Sequence, residues 1–488
     1  MKIRYTLIFL VPLLFFLIGC NGEGLQKEQT SAQQFSTEMF PNVLDLRGTP
    51  DSVFDRSVFA FTDLGAWFAY ALPEREKGAI GFSGPFLMTQ DNGCWLSPIL
   101  SQLELIVSHG GGILNFDNAS FIEATSYPGK LGMKIHWEKP AIELNASLIF
   151  ANKNTSLQHF VIKNKSTQED LSIRAKWKGE VLLDNAFLEE NSNGVQVLFA
   201  NRATRGLITP IALSGCQFKV SEKRYTIISP VFNLRPGSTQ DINLTHVFSF
   251  SSTSLVENVT ELASIAQSIS QLLEHNERQW NSKLDQVIYK IAPSFTEEAY
   301  QRVAVKCVQT LTTNWRSAAG FLKHDGLFPS YNYQWFNGFW SWDSWKHAVA
   351  LAQFDTDLAK NQILAMYDFQ DDYGMIADCV YRDTIIENHN WRDTKPPLSA
   401  WAIWHTFQAS SDTTFLRHIF PKAEKYHQWW YQNRDHDQNG LCEYGSTDGS
   451  LIAAKWESGL DNAGRFDDTK MVQNSEQAWS MNRESVDL

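Results

Sequence analysis

Between residues 36 and 250 apolar and polar side chains alternate in short runs, as in Lys134-Ile-His-Trp137, Leu148-Ile-Phe150, Leu157 to Ile162, Val195 to Phe199, Tyr225 to Ile228 and Leu244 to Phe250. A period of two puts every second side chain on one face of a strand, and Asn, Gly, Asp and Ser recur between the runs as turn formers. Many short strands with almost no helical periodicity predict an antiparallel β-sandwich over 36–250. The period then changes. Leu255, Val259, Leu262, Ile265, Ile269 and Leu272 stand three or four residues apart, which lines them along one face of a helix and predicts a helical linker over 251–293. From Ser294 the spacing stays helical, with helices expected near 296–319, 343–353, 356–371, 397–410, 412–434 and from 473 to the end. The fold class is multidomain, β followed by α.

The first residues follow neither pattern. Lys2 and Arg4 precede the apolar run Leu7 to Ile18, which is shorter than the roughly 20 residues a spanning helix needs, and Gly19-Cys20 follows directly. Leu17-Ile18-Gly19-Cys20 resembles a bacterial lipobox. That implies a signal peptide over 1–19, lipidation of Cys20 and a flexible polar tether over 20–35. It further implies a bacterial lipoprotein, periplasmic or at the cell surface, that touches the membrane through its lipid alone. With Cys20 acylated, Cys94, Cys216, Cys307, Cys379 and Cys442 remain. They lack metal-type spacing, and buried structural thiols are expected.

Composition narrows the function classes. The 488 residues hold 42 Lys+Arg against 54 Asp+Glu, a net charge of -12, and no long basic run, which disfavours nucleic acid as a partner. With 28 Gly and 16 Pro the chain is far from low-complexity composition and long enough to bury substantial cores. The 17 Trp are the less usual feature. Thirteen lie from Trp280 onward, many in loops beside carboxylates, as in Trp335-Phe-Asn-Gly-Phe-Trp340-Ser-Trp342-Asp343-Ser-Trp345. Loop-borne aromatics among carboxylates suit a cleft that takes a sugar, with ring faces against C–H and polar groups at hydroxyls. The competing role is structural Trp pinning long loops.

Glycosidic cleavage needs a protonated carboxyl to protonate the leaving oxygen and an ionised carboxylate to activate water or attack. Carboxylates beside aromatics are the candidates, because apolar walls raise a carboxyl pKa. Trp342-Asp343, Asn390-Trp-Arg-Asp393-Thr-Lys395-Pro-Pro397 and Trp456-Glu457-Ser-Gly-Leu-Asp461-Asn462 qualify.

At these three segments the sequence resembles glycoside hydrolase family 63, which includes bacterial α-glucosidases and eukaryotic processing α-glucosidase I. The resemblance runs from about residue 40 to the last residue. It implies an N-terminal β-sandwich packed on an (α/α)6 barrel, inverting hydrolysis, and an oligosaccharide substrate with a terminal α-glucose. Matched motif by motif, it places the general acid at Asp461 and a hydroxyl-binding aspartate at Asp343, with Trp342, Trp391 and Lys395 lining that subsite. Trp456 and Glu457 share the acid's motif and are candidate substrate contacts; Glu457 would equally serve as an ion pair supporting the loop.

The same resemblance exposes a mismatch. The family's general base is a Glu well after the acid, and no segment from Asp461 to Leu488 resembles its motif. The 195 residues from Ser294 onward suffice for about half of a twelve-helix barrel, so 294–488 is expected to be a partial, truncated barrel with impaired activity. Asp435-His-Asp437-Gln-Asn439-Gly440 offers oxygens around a sharp turn, although the bidentate Glu of an EF-hand is missing. In bacterial relatives a similar loop binds calcium, so a structural Ca2+ at Asp435, Asp437 and Asn439 is one reading and a polar interhelical turn the other. The expected molecule is a monomer. A non-catalytic sugar-binding lipoprotein is the alternative function. An inverting glycoside phosphorylase ranks lower, because near Asp461 only Arg465 and Lys455 could hold phosphate.

Overall fold

Lys130–Glu138 buries Leu131, Met133, Ile135 and Trp137 and turns the residues between them outward. Leu171–Glu180 does the same with Leu171, Ile173, Ala175 and Trp177. These rows face each other in one apolar core and belong to two antiparallel sheets. In this computed structural model, which describes residues 35–89, 93–108, 112–200, 202–250, 255–476 and 478–482, the larger sheet has eight strands. Their order is Ala186–Asn191, Gly194–Phe199, Arg205–Ile211, Thr239–Ser249, Thr155–Asn164, Ala141–Asn152, Lys130–Glu138 and Phe121–Tyr127. The opposing sheet is six-stranded and centred on Leu171–Glu180, paired with Gln102–Val107 and Arg224–Ile228. The sandwich expected from the period-two runs is present. The signal peptide and Cys20 lie outside the described residues.

The linker is two helices, α1 (Leu255–Gln267) and α2 (Ile269–Ile288). Leu262 and Ile265 of α1 pack on Ile149, Leu157, Leu207, Ile211 and Val247, on the side of the eight-stranded sheet away from the sandwich core. On α2, Trp280 Nε1 donates to the buried Asp63 Oδ2 at 2.7 Å. The helical region follows as α3 (Glu298–Asn314), α4 (Ser341–Leu351), α5 (Thr356–Tyr367), α6 (Ser399–Ser410), α7 (Thr413–Arg434) and α8 (Leu451–Glu457). Asp355, Asp412 and Ser450 cap α5, α7 and α8 by accepting first-turn N–H groups, which satisfies donors a helix start leaves free.

One core runs from the sheets into the helices, joining Trp67, Phe86 and Trp95 to Phe328, Phe339 and Trp345. Buried hydrogen bonds fix the junction: the Tyr331 hydroxyl bonds both backbone groups of Ala60, and Arg316 Nη1 donates to the Ala66 carbonyl at 3.0 Å.

Two expectations are corrected and one element is added. The helix from 473 to the end is instead a strand pair, Met471–Ser475 and Ala478–Met481, which joins Gly445–Ser446 in a three-stranded sheet. So short a segment is compatible with both periods, and pairing of Trp479 and Ser480 with Gly445–Ser446 selects the strand. Helix α8 itself went unpredicted. The thiols are not uniformly buried, since Cys307 is exposed and Cys216 half-buried; Cys307 stands on the solvent side of α3, whose buried face is Val305, Val308 and Gln309.

Candidate active site

The loops at one end of the helical region converge on a cleft of about 660 Å3 whose walls include Trp340, Asp378, Trp391, Arg392, Lys395, Trp456 and Asp461. Asp378 is held by strand-like bonding: Phe339–Trp340 pairs with Cys379–Val380, Ser341 N donates to the Asp378 carbonyl at 2.9 Å, and Asp378 N donates to the Asn390 carbonyl at 3.0 Å. The Asn390 side-chain amide then spans two carboxylates, donating to Asp378 Oδ2 at 2.7 Å and Asp393 Oδ1 at 2.9 Å.

The remaining oxygens, Asp378 Oδ1 and Asp393 Oδ2, are buried and take no hydrogen bond from the described residues. Each faces the ammonium of Lys395 instead, at 3.3 and 3.7 Å. Lys395 Nζ also donates to the Trp456 carbonyl, which ties this cluster to the end of α8 and so to the loop carrying Asp461. Burial pushes the carboxyls of Asp378 and Asp393 up, and the neighbouring ammonium counters it. For Lys395, burial opposes the charge, but Asp378, Asp393 and Asp461 outweigh it and hold the amine above its ordinary range. The cluster is a buried cation between carboxyls that resist ionisation.

The loop after α8 explains the Ser-Gly-Leu-Asp motif. Ser458 Oγ donates to the Lys455 carbonyl at 2.6 Å and accepts Leu460 N at 3.0 Å. Gly459 has φ +67, and a Cβ there would overlap the Trp342 indole. Glycine is required twice at this position, for the left-handed backbone and for the close approach. The turn leaves Asp461 exposed at the cleft.

Of the predicted residues, Trp391, Lys395, Trp456 and Asp461 line this one cleft. Asp343, in the first turn of α4, is not among the lining residues; its carboxyl is raised by burial, with Lys346 and Lys395 opposing. Trp342 supports Gly459 with one part of its ring and carries the Lys346 ammonium 3.3 Å from its centroid. Glu457 departs from its expected substrate role. It is fully buried, meets Arg434 through Oε1 at 2.7 Å and Oε2 at 2.9 Å, and accepts Gly445 N and Thr394 N. Of its two readings, the ion pair supporting the loop is the one this arrangement fits.

The calcium loop also folds on itself. Asp435 Oδ1 and Oδ2 accept the N–H groups of Asn439 and Gly440, and Asn439 Oδ1 accepts that of Leu441. Positive φ at Gln438 and Gly440 turns those amides inward. Among the described residues, the His, Cys, Asp and Glu groups whose ligand atoms lie within 4.8 Å of one another are His436, Asp437 and Glu443, and Glu443 Oε2 already accepts His436 N. The oxygens of Asp435 and Asn439 close the turn through backbone N–H groups, and a cation at Asp435, Asp437 and Asn439 would have to share them.

Sequence reasoning missed Asp378, Asn390 and Arg434. Asp378 could have been found as a carboxylate inside the apolar run Met375-Ile-Ala-Asp-Cys-Val380, where an ionisable group is rarely placed without a task or a partner.

Two family profiles each match part of the chain. Residues 336–487 match the profile of the mannosylglycerate hydrolase MGH1-like glycoside hydrolase domain, and residues 50–201 match that of the glucosidase YgjK N-terminal domain. Both profiles are of glycosidases. Among curated proteins the chain is similar to mannosylglycerate hydrolase from Thermus thermophilus, 28% identical over 183 residues covering 33% of this chain and 40% of that one. It is also similar to mannosylglycerate hydrolase MGH1 from Selaginella moellendorffii, 24% identical over 199 residues, with 37% of each chain covered. The chain thus spans about two-fifths of the length of these relatives. Among solved structures, a putative kojibiose phosphorylase from human microbiome aligns with TM-score 0.49 and 9% identity over 80% of this chain and 58% of that one. A family GH92 α-mannosidase from Bacteroides thetaiotaomicron aligns with TM-score 0.43 and 10% identity, over 87% and 62%.

Proposed function

We propose that this chain is an exo-acting, inverting glycoside hydrolase of the α-glucosidase type, as in family 63, with Asp461 as the general acid. The observation that carries the reading is convergence: Trp391 and Lys395 from the loop before α6, Trp456 from the end of α8 and Asp461 from the loop after it line one cleft with Trp340 and Asp378. Its aromatic walls suit sugar C–H faces. Asp378 and Lys395, nearly buried, supply fixed polar groups for hydroxyls. Lys395 also positions the acid, since it bonds the carbonyl of Trp456, five residues before Asp461. In the reaction, the Asp461 carboxyl gives its proton to the glycosidic oxygen as the bond to the anomeric carbon breaks and water, giving its proton to a general base to which no residue of this chain is assigned, attacks that carbon from the opposite face.

The test compares hydrolysis of glucose disaccharides and p-nitrophenyl α-glucoside by this chain and by one extended to the length of its relatives. The extended enzyme should cleave both. Asp461→Asn should impair the disaccharides more than p-nitrophenyl glucoside, because nitrophenolate leaves with little need of a proton. Equal loss on both substrates would remove Asp461 from the acid role. Lipid attachment at Cys20 is part of the same proposal; Cys20→Ser should abolish incorporation of labelled fatty acid, and persistent labelling would overturn it.

A further inference from the structure

Trp391 and Thr447 border two clefts. One holds Asp461; the other, of about 650 Å3, is walled by Tyr373, Met375, Trp429 and Asn433, with Asp371 and Glu476 as its charged lining residues. The ridge between them is fixed by its backbone. Thr447 Oγ1 donates to the Trp391 carbonyl at 2.9 Å, Thr447 N to the Arg392 carbonyl at 2.8 Å, and Arg392 N to Asn390 Oδ1 at 3.1 Å. Trp391 is nonetheless 37% exposed, so its ring is available along the passage from one cleft to the other.

We infer that the second cleft receives the leaving-group side of the substrate, and that it takes a neutral sugar unit rather than a carboxylated one. This rests on the glycosidase reading of the first cleft. Tyr373 is 69% exposed on a turn that Asp371 Oδ1 clamps by accepting the N–H groups of Tyr373, Gly374 and Met375 at 2.7 to 2.9 Å. It is a rigidly carried aromatic ring open to stacking on a pyranose face, which loses little freedom on binding. Asn433 and Thr447 add hydrogen-bonding edges. Glu476 makes the lining acidic, and no Lys or Arg is among the lining residues, so a carboxylate entering here meets like charge without a counter-ion.

The experiment measures equilibrium binding, by calorimetry or Trp fluorescence, of methyl α-glucoside, a set of glucose disaccharides and trisaccharides, and mannosylglycerate to the full chain. The ratio of trisaccharide to methyl glucoside affinity should fall about tenfold in Tyr373→Ala and also fall in Asn433→Ala, with melting temperatures checked for both. Mannosylglycerate should bind more weakly than the neutral disaccharides. A ratio indifferent to both substitutions, or tighter binding of mannosylglycerate, overturns the assignment of the second cleft while leaving the glycosidase reading standing. If the unaltered chain binds none of these sugars, both fall together.

Discussion

Two buried ion pairs lie a few residues apart and are built to opposite rules. Around Glu457 every demand is met: a two-pronged guanidinium and two backbone amides saturate the carboxylate, and both charged partners are sealed from solvent. Around Lys395 one ammonium serves two carboxylates whose inner oxygens go without hydrogen bonds from the described residues, and Lys395 and Asp378 border the cleft. A saturated buried charge holds a fold in register, whereas a buried cluster beside a cleft that keeps spare acceptors leaves them open to a further partner. The difference distinguishes two aromatic-carboxylate motifs that look alike in sequence, one around Lys395 beside the cleft and one in which Glu457 is sealed away from it.

The sharpest way to break this contrast is to remove one partner from each pair. Glu457→Ala strands Arg434 in the interior and should cost about 3–5 kcal/mol of stability, seen as a large fall in denaturant midpoint. A mild effect would place Glu457 among the ligand-facing groups after all. Asp461→Asn should lower disaccharide turnover by about 10²- to 10⁴-fold in the extended enzyme with an unchanged melting temperature. Gly459→Ala comes next. The left-handed backbone alone costs about 1–2 kcal/mol, and displacement of the Trp342 ring should shift Asp461, so turnover and melting temperature should fall together. A loss of stability with turnover intact would mean that the turn does not position the acid.

A gentler probe is pH. Burial raises the Asp393 carboxyl well above its ordinary value, so from about pH 4 up to its folded pKa the native state holds a proton that the unfolded chain has released. Stability must fall as pH rises through that window. Lys395 stays charged in both states there and adds no slope. Asp378, raised by burial to about 6, contributes slope of the same sign, so Asp393→Asn should flatten the melting temperature against pH only in part, and an unchanged slope would show that Asp393 is ionised when folded. Asp448 works in the opposite sense. Burial opposes its charge, but hydrogen bonds from Ser450 and Arg392 bring it down to about 2, and the stability it adds is lost as pH falls toward that value. The smallest effect expected is from chelation. At Asp435, Asp437 and Asn439, whose oxygens already accept N–H groups, a melting temperature unchanged by chelator would leave a polar interhelical turn, and a fall would assign calcium to that loop.

Much of this architecture was legible along the chain because it is local. Alternation in Lys130–Glu138 and the three-four spacing around Leu262 and Ile265 each report one element and its buried face, and the structure has those elements. The aromatic-carboxylate motifs located the cleft's loops. What escaped depends on partners far apart in sequence. Nothing near Arg434 announces that it will meet Glu457, and Asp378, conspicuous only as a carboxylate in an apolar run, gains its partners once Asn390 and Lys395 fold onto it. The strand pair at Met471–Met481 escaped for the related reason that its period is decided by Gly445–Ser446, outside the segment itself.

Helix α1 has a practical consequence for anyone dividing this molecule. The β-sandwich pattern ends at residue 250, which invites a boundary there. Such a fragment would turn Ile149, Leu157, Leu207, Ile211 and Val247 toward water, where Leu262 and Ile265 now cover them. A recombinant β-domain should accordingly extend through Gln267, and the shorter version should be the one lost to inclusion bodies.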